Sequence, residues 1–289
     1  MIIPQEDLRK MQLLQLDMLV EMDRVCRENN ISYVITSGTL LGAVRHRGYI
    51  PWDDDADINM LREDYEKFKR VANQMNPDIC FFQDHTTDHD YRWGYGKIRR
   101  TGTTYIRLGQ EHLKGKNGVF IDVFPLDDIP KGTIGVYVQN ALCYIARKIT
   151  YSEVGRVQEK GFLKAWYTLL SHVPIDAAFA LFNIYSQRSR NDSTNRVRML
   201  SYGKIHEHVD KYSGGKAVFG RPKEWVQEVK DYEFEGFNLL GPIEADLFLS
   251  RAYGNDFMTP PPPEKRNQNS PCSSYSFGEA EPIYYRKKS

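Results

Sequence analysis

The strongest constraint on this chain is a run of four carboxylates in five positions, DDDAD at 53–57. The next residues alternate, with apolar Ile58 and Met60 two positions apart, which is typical of a strand half buried in a core. On such a strand Asp55 and Asp57 share the opposite face, with Cα atoms about 6.5–7 Å apart. Two carboxylates held together repel unless one is protonated or a cation is bound. An all-oxygen site of this kind suits Mg²⁺ or Mn²⁺.

Three other interpretations of the acidic run stay open. A solvated acidic turn is the usual fate of a charge run. A calcium-binding loop would take four aspartates between Asp53 and Asp64, but the loop position that requires glycine is occupied by Ile58. An acidic N-terminus of the next helix would explain Glu63 and Asp64 better than it explains Asp55.

A phosphate-binding turn is predicted directly upstream of the acidic run. Alternation over 31–35 indicates a short strand, Ser37 and Gly38 interrupt it, and the residues from Thr39 to His46 can form a short helix. Free backbone N–H groups at a helix start, in a loop of small residues, can hold a phosphate. The order strand, Ser-Gly turn, helix and acidic strand therefore predicts a phosphate cradle beside metal-binding carboxylates.

The remaining pattern predicts an α/β (α+β) fold, a mixed sheet with flanking helices and a helical insertion. Apolar residues at helical spacing predict helices over 6–29 and 61–75. Strands are predicted within 92–106 and at 119–124, and the pattern is helical from 133 to 190. Weaker strand signals follow after about residue 200.

The most apolar part of the helical stretch, 162–185, is interrupted by Pro174 and Asp176. This interruption favours two packed helices over a membrane hairpin. A peripheral contact with a bilayer surface is kept as an alternative because basic residues lie nearby. These are Arg147, Lys148, Lys160 and Lys164.

Composition limits the classes of protein that fit. The net charge of +1 provides no global field that would favour nucleic acid. The four cysteines are scattered over 289 residues without a CxxC pair, which indicates reduced thiols of a cytosolic protein. A secretory signal is not recognisable, and no stretch reaches the roughly 18 apolar residues of a membrane span. We therefore expect a cytoplasmic location, with the inner face of the membrane as an alternative.

The segment 37–58, SGTLLGAVRHRGYIPWDDDADI, closely resembles the signature of the LicD family, which includes bacterial phosphocholine transferases and relatives of fukutin. That family is similar to the nucleotidyltransferase superfamily, marked by a glycine–serine-type turn, a DxD strand and a third acid on a later strand. The resemblance implies a nucleotidyltransferase-like fold with Asp122, in VFIDVFPLD, as the third acid. Asp127 and Asp128 are weaker candidates, because Pro125 is expected to take them off that strand.

Two further segments resemble family blocks, YGKIRRTGTT at 95–104 and YGNDFMTPPPPEKR at 253–266. The likeness is strongest over 8–130. We accordingly expect a catalytic core at 1–130, a helical region at 131–200, a part at 201–266 that completes the domain, and a flexible tail at 267–289.

The resemblance implies a metal-dependent site. Asp55, Asp57 and Asp122 would be the catalytic ligands of Mg²⁺ or Mn²⁺, and Asp53 would join or orient them. Candidates for binding the donor phosphates are Ser37, Gly38, Thr39, Lys97, Arg99 and Arg100. Candidate substrate contacts are Arg45, Trp52, Trp93 and Tyr95. The alternatives are a solvated strand edge for the cations and core packing for the aromatic residues.

The implied activity is transfer of a substituted phosphate, phosphocholine or a polyol phosphate, from a CDP-activated donor such as CDP-choline. Teichoic acid, capsule, lipopolysaccharide and lipid-linked oligosaccharide are all candidate acceptors, and a nucleic acid polymer is not expected. One alternative is a nucleotidyltransferase that transfers a nucleotide and releases pyrophosphate. The other is a binding protein without catalysis, which the complete set of three acids disfavours.

Overall fold

The computed structural model describes residues 1–190, 194–201, 219–266 and 270–285. Its first six strands are β1 (Val34–Ile35), β2 (Asp57–Leu61), β3 (Cys80–Gln83), β4 (Gly96–Arg100), β5 (Thr104–Arg107) and β6 (Phe120–Asp128). The central sheet has the order β1–β2–β6–β4–β3 and mixes parallel with antiparallel pairs. The predicted α/β fold with a mixed sheet is confirmed.

The register of the three central strands brings charged residues to one level of the sheet. β2 pairs with β6 in parallel, with Asp57 directly opposite Asp122. β4 pairs with the other edge of β6 in antiparallel orientation, with Lys97 opposite Asp122. Because neighbouring strands lie about 4.8 Å apart, these three side chains start from adjacent positions.

Three helices pack around this sheet: α1 (Gln5–Glu28), α2 (Ser37–His46) and α3 (Arg62–Val71). The helices predicted for 6–29 and 61–75 are confirmed, the second with an end at Val71. The apolar residues of α1 recur at helical spacing and are fully buried, among them Met11, Met18 and Met22. Burial of each such side chain contributes about 1.5–3 kcal/mol, which fixes α1 firmly beneath the sheet.

The helical insertion consists of α4 (Thr133–Gln158), α5 (Gly161–Leu170) and α6 (Ile175–Arg190). The break between the last two falls at Pro174, so the prediction of two separate helices is confirmed. Both pack on α4 around a core cluster of their own, which includes Cys143, Tyr167 and Phe179. Among the described helices, none combines the length and apolarity that crossing a bilayer requires.

The C-terminal part completes the fold with short elements. They are β7 (Arg196–Arg198), β8 (Arg221–Pro222), α7 (Glu224–Gln227), β9 (Val229–Phe234), β10 (Phe237–Pro242), α8 (Ala245–Tyr253) and β11 (Cys272–Ser276). β7 pairs with the end of β6, and β9 and β10 form an antiparallel hairpin. The strands expected after residue 200 are therefore present in the described part of this region.

The flexible tail expected at 267–289 is wrong for its described part, 270–285. β11 pairs with β5 in antiparallel orientation. Further on, the backbone N–H groups of Ile283 and Tyr284 donate to the buried carboxylate of Asp17 at 3.0–3.1 Å. A terminal segment held by a strand pair and by a buried acid is ordered. Residues 267–269 and 286–289 lie outside the described residues.

Two expectations about the acidic strands also need correction. β2 begins at Asp57, so Asp55 lies just before the strand and not on it. Because residues 57–61 form a strand, the calcium-loop interpretation is ruled out. β6 continues through Pro125 to Asp128, although the proline was expected to end it. Pairing of β6 with β4 stops at Val123. The missing N–H group of Pro125 therefore removes no hydrogen bond between these two strands.

Gly42 of α2 provides a test of how tightly the turn after this helix is packed. A Cβ at this position would lie 2.4 Å from the backbone oxygen of Gly48 and 3.3 Å from the backbone nitrogen of Ile50. Overpacking costs about 1–3 kcal/mol, which exceeds the gain of up to about 1 kcal/mol in helix propensity. We expect Gly42→Ala to lower the urea midpoint of unfolding, measured by circular dichroism.

The matched control is Gly135→Ala in α4, where the nearest atom is the Cβ of Pro130 at 3.2 Å. That side chain can shift slightly, so the control should change stability by less than about 1 kcal/mol. A Gly42→Ala variant as stable as the control would contradict the close packing described here.

Candidate active site

The predicted acids meet where β2 begins and β6 runs beside it. Asp57 is the first residue of β2, and the backbone N–H of Asp122 donates to the carbonyl of Ala56 at 2.9 Å. The charges of Asp55, Asp122 and Asp53 all act on Asp57. The four predicted acids therefore form one cluster.

Burial raises the pKa of three of these carboxyls, and mutual repulsion adds to the effect. The pKa of Asp57 lies well above its usual value because of burial and then the charges of Asp55 and Asp122. Burial, followed by the charge of Asp55, raises the pKa of Asp53 to about 8. Burial, followed by the charge of Asp54, raises the pKa of Asp55 to about 6. Carboxyls that resist ionisation in this way gain most from a bound cation.

The donor atoms of this cluster fit a divalent cation with oxygen ligands. One carboxylate oxygen from each of Asp53, Asp54 and Asp55 lies within 4.8 Å of the others. This trio shares two members with the predicted ligand set, but it contains Asp54 where the prediction had Asp57 and Asp122. Hard cations such as Mg²⁺ use one or two such carboxylates and fill the remaining positions with water and phosphate oxygens.

The carboxylate of Asp54 is held by two hydroxyl groups of the protein. Its Oδ2 accepts hydrogen bonds from the hydroxyl groups of Tyr105 and Ser270. Ser270 precedes β11, so the C-terminal segment fixes this carboxylate from outside the sheet. A carboxylate held by two hydroxyls is better suited to orienting the acidic run than to binding the ion.

Two glutamines of α1 hold the backbone of the acidic run. Nε2 of Gln12 donates to the carbonyl of Asp53 at 2.9 Å. Nε2 of Gln15 donates to the carbonyls of Asp54 at 2.8 Å and of Phe120 at 3.2 Å. Because Phe120 begins β6, Gln15 connects the two segments that carry the acids.

The predicted phosphate turn lies directly against the acids. Ser37 adopts a left-handed backbone conformation with φ of +50°, an uncommon one for a residue with a side chain, at the start of α2. A Cβ on Gly38 would lie 2.3 Å from Oδ2 of Asp53, so only glycine allows this approach. The hydroxyl of Thr39 accepts a hydrogen bond from the backbone N–H of Asp57 at 2.8 Å. The N-terminus of α2 therefore faces the cluster, where its dipole favours anions.

Lys97 and Arg99 lie on the other side of Asp122, as the paired strands require. The ammonium of Lys97 contacts Oδ1 of Asp122, and burial lowers the pKa of this lysine to about 7 despite that contact. Arg99 donates to Oε1 of Gln83 at 2.7 Å and to the carbonyl of Gly118 at 2.9 Å. Both predicted cations are therefore buried at the site and are not part of a solvated strand edge.

Arg107 is a site residue that was not predicted. Burial acts to lower its pKa, but the charges of Asp122 and Asp55 raise it above the usual value. It lies on β5, two residues after Tyr105, so strand alternation could have placed it on the same face. One cavity is lined by Lys97, Arg99, Arg107, Trp93 and Phe120.

Arg100 was expected to join the phosphate-binding cations, and this prediction is wrong. It is adjacent to Arg99 on β4, and successive residues of a strand point to opposite faces. Its guanidinium donates to the carbonyls of Asp78 and Ile79 at 3.0 and 2.7 Å and lies 3.9 Å from the carboxylate of Asp17. Arg100 supports α1 and the turn before β3, away from the acids.

A second cleft lies on the side of α2. It has a volume of about 460 Å³, and its walls include Trp52, Gly38, Asp53 and Tyr253. This size is in the range of small-molecule sites. Burial and the charge of Asp53 raise the pKa of Tyr253 to about 12, which places this tyrosine beside the acids. Tyr253 begins the block 253–266 that resembles the family, so the sequence contained a signal for it.

The remaining candidate contacts differ in their surroundings. Nη1 of Arg45 donates to the carbonyl of Phe257 at 2.9 Å, near Tyr253. Trp93 lines the cavity of the cations. The ring of Tyr95 packs on Phe124, 4.6 Å between centroids, so core packing explains this residue.

Asp127 and Asp128 are engaged elsewhere, although both lie on β6. Arg62 grips both oxygens of Asp127 at 2.8 Å, and Lys223 contacts Asp128 at 2.9 Å. Asp127 and Asp128 are poorer candidates for the third acid than Asp122, as expected. The reason is that both carboxylates are engaged in ion pairs, and not that they lie off the strand.

The charge of Asp53 provides a pH-dependent test of the cluster. Its folded-state pKa of about 8 exceeds the value of about 3.9 for a free aspartate, so folded stability falls as pH rises between these values. Without divalent ions, Asp53→Asn should therefore raise the thermal midpoint more at about pH 8 than at about pH 5. Added Mg²⁺ should reduce this advantage, because the ion offsets the same repulsion.

The control for this test is Glu63→Gln, whose side chain is 77% exposed in an ion pair with Lys67. Surface pairs contribute little, so its effect should stay small across the pH range. An Asp53→Asn effect that is equal at both pH values would show that Asp53 does not share the cluster's repulsion.

Comparison with known proteins relates this arrangement to a known family. The profile described as "LicD/FKTN/FKRP, nucleotidyltransferase domain" matches residues 30–154, which contain the acids and the turn of α2. The lipopolysaccharide cholinephosphotransferase LicD of Haemophilus influenzae is 27% identical over 279 residues, 93% of this chain and 97% of that protein. Uncharacterised proteins of Rickettsia typhi and Rickettsia prowazekii are 57% and 55% identical over 47 residues, 16% of this chain and 15% and 18% of theirs. Together with the signature at 37–58, these matches show that residues 30–154 are similar to the nucleotidyltransferase domain of the LicD family and that most of the chain is similar to a LicD phosphotransferase.

Proposed function

We propose that this phosphotransferase of the LicD family moves phosphocholine, or a closely related substituted phosphate, from a CDP-activated donor to a glycan acceptor in a metal-dependent reaction. The observation that carries the proposal is the register of β2 and β6, which sets Asp57 opposite Asp122 with Asp55 alongside. The match along nearly the whole length of the Haemophilus cholinephosphotransferase supports the choice of transferred group.

The metal would be held by Asp55, Asp57 and Asp122, with Asp53 beside them. When bound, Mg²⁺ or Mn²⁺ would neutralise charge that develops on the phosphates and on the leaving nucleotide. The raised pKa values of Asp53 and Asp55 support this, since a cation would convert costly carboxylates into favourable ligands. Asp54 is left out because Tyr105 and Ser270 already hold its carboxylate.

The protein's own groups would position the donor. The N-terminus of α2, at Ser37 to Thr39, offers backbone N–H groups to a phosphate, and the glycine at 38 allows close approach. Lys97, Arg99 and Arg107 supply positive charge on the opposite side of Asp122. Phosphoryl transfer depends mainly on such placement and charge stabilisation, and needs little covalent chemistry from the protein.

The transferred group and the nucleotide would occupy the two cavities beside the acids. Trp93 in the cavity of the cations and Trp52 in the cleft of α2 each present an aromatic surface. An aromatic face can cover a trimethylammonium group by cation–π attraction or can stack on a base. Trp52 already has the guanidinium of Arg266 4.4 Å from its ring centroid, which indicates that its face accepts a cation.

Ligand binding gives the first test of donor and metal together. A donor bound at about a hundred times its dissociation constant stabilises the folded state by about 2.7 kcal/mol, a shift of about 5 °C or more. We expect CDP-choline to raise the thermal midpoint by this amount only when Mg²⁺ or Mn²⁺ is present. A shift of equal size with EDTA would contradict metal-dependent donor binding.

Loss of the acids gives the second test. Asp57→Asn should lower the rate at which CDP-choline releases CMP in the presence of acceptor by about a thousandfold, because a lost metal ligand removes several kcal/mol of stabilisation. The midpoint of unfolding should not fall, since burial and the neighbouring acids disfavour the ionised form of Asp57 in the protein without a bound cation. Glu63→Gln, on the exposed side of α3, should retain full activity.

The same assay separates the alternative activity. A nucleotidyltransferase would release pyrophosphate from a labelled nucleoside triphosphate and leave CDP-choline intact. That outcome, or full activity of Asp57→Asn, would overturn the proposed reaction.

A further inference from the structure

Helix α5 exposes its apolar side to solvent. Phe162 is 82% exposed, Leu163 48%, Trp166 44% and Leu169 63%. In an α-helix, residues that are three, four and seven positions apart lie on one face. These four side chains therefore form one apolar stripe, which we call the α5 face. The surface of a soluble protein rarely exposes several large apolar residues side by side unless a binding partner covers them.

Side chains next to the α5 face attach the helix firmly, so the exposure of this face is not the result of a loose helix. The ring of Tyr167 packs against Gly155 of α4, where an added Cβ would lie 2.5 Å from two of its ring atoms. The ammonium of Lys148 donates to the Tyr167 hydroxyl at 2.8 Å. Leu170 is also buried in the core of the insertion. The α5 face is held in place while it points outward.

Basic residues dominate the segment that contains this face. Between 131 and 188 the sequence has seven lysines and arginines and three acids, although the whole chain has a net charge of only +1. Lys160 directly precedes α5, Lys164 lies on the side of the helix away from Phe162 and Trp166, and both lysines are exposed. Arg156, also exposed, lies at the end of α4 just before them. An apolar stripe on a helix that carries lysines on its polar side is the pattern of a helix that lies in the plane of an anionic membrane surface.

We propose that α5 docks this protein on a bilayer surface that carries anionic lipid head groups. Phe162, Leu163, Trp166 and Leu169 enter the boundary between head groups and acyl chains, and Lys160 and Lys164 contact the lipid phosphates. A second copy of the chain is a poorer occupant, because two such faces would bring the lysines of both copies together.

The helical insertion also connects this surface to the cavity of the cations. Arg92 lies in the wall of that cavity and donates to the carbonyls of Thr150 and Ile149 of α4 at 3.0 and 3.1 Å. Gln158, the last residue of α4, donates to the carbonyl of Leu108 just after β5. Docking by α5 would therefore set the cavity at a fixed distance from the bilayer. The docking itself does not depend on the proposed function.

The experiment uses the full chain with vesicles of phosphatidylcholine alone and of phosphatidylcholine mixed with phosphatidylglycerol. Flotation should show binding to the mixed vesicles that weakens as salt is added, because the head-group attraction is screened. Emission of Trp166 should shift to shorter wavelength on binding, and brominated lipid should quench it. Trp166→Phe should remove most of that spectral change and keep the flotation.

Two pairs of variants separate the apolar and the charged contributions. Phe162→Ser with Leu169→Ser should reduce the partition coefficient at least about tenfold, since both side chains lose their lipid contact. Lys160→Gln and Lys164→Gln should each reduce binding to the mixed vesicles about fivefold, with little effect on neutral ones. The matched control replaces two exposed aliphatic residues elsewhere, Leu108 at 65% and Ile243 at 45%, by serine.

Equal loss of flotation in the control and in the α5 double variant would overturn the proposal, as would absence of binding to both kinds of vesicle. A change of oligomeric state in the α5 double variant, seen by light scattering without vesicles, would assign the face to a second copy instead. Release of CMP from CDP-choline in detergent should be unchanged in all these variants. If a variant lost this activity, the substitution would also have disturbed the active site. The flotation result alone would then decide whether α5 docks on the bilayer.

Discussion

Electrostatic repulsion among carboxylates is the constraint on which the rest of this structure depends. Asp53, Asp55 and Asp57 all have raised pKa values because they are partly buried and placed near one another. Lys97 and Arg107 offset part of that charge from the other side of Asp122. The cation proposed above would offset this repulsion directly, because it would be shared as a ligand by carboxylates that otherwise repel one another.

Backbone contacts keep the acids close together despite this repulsion. The parallel pairing of β2 with β6 fixes one pair of acids, and Gln12 and Gln15 bind the carbonyls of the segment that carries the others. None of these bonds uses a carboxylate oxygen of the acids. α1 is therefore a regular helix that supports the site through only two side chains, Gln12 and Gln15, which position the backbone of the acidic run.

Local patterns predicted much of the fold and the Ser-Gly turn beside Asp55 and Asp57, while Asp122 was implied by the family resemblance. The periodicity of α1, the alternation after Asp57 and the turn at Ser37 depend on neighbouring residues, so they were readable. The strand β11 was missed because its order comes from pairing with β5, far away in the chain. The error at Arg100 had a local cause, since three cations were grouped by sequence proximity although a strand alternates its faces. The role of Ser270 required knowledge of tertiary contacts, because its partner Asp54 lies far away in the chain.

Gln15 has a consequence for how the protein acquires its site. This side chain ties the loop before β2 to the first residue of β6, and it does so from a helix near the start of the chain. Three segments far apart in sequence must be in place before the carboxylates converge, so the acidic cluster is expected to form late in folding. Affinity for a divalent ion would then report completion of the native structure, and a stopped-flow signal from a luminescent lanthanide could time that last step.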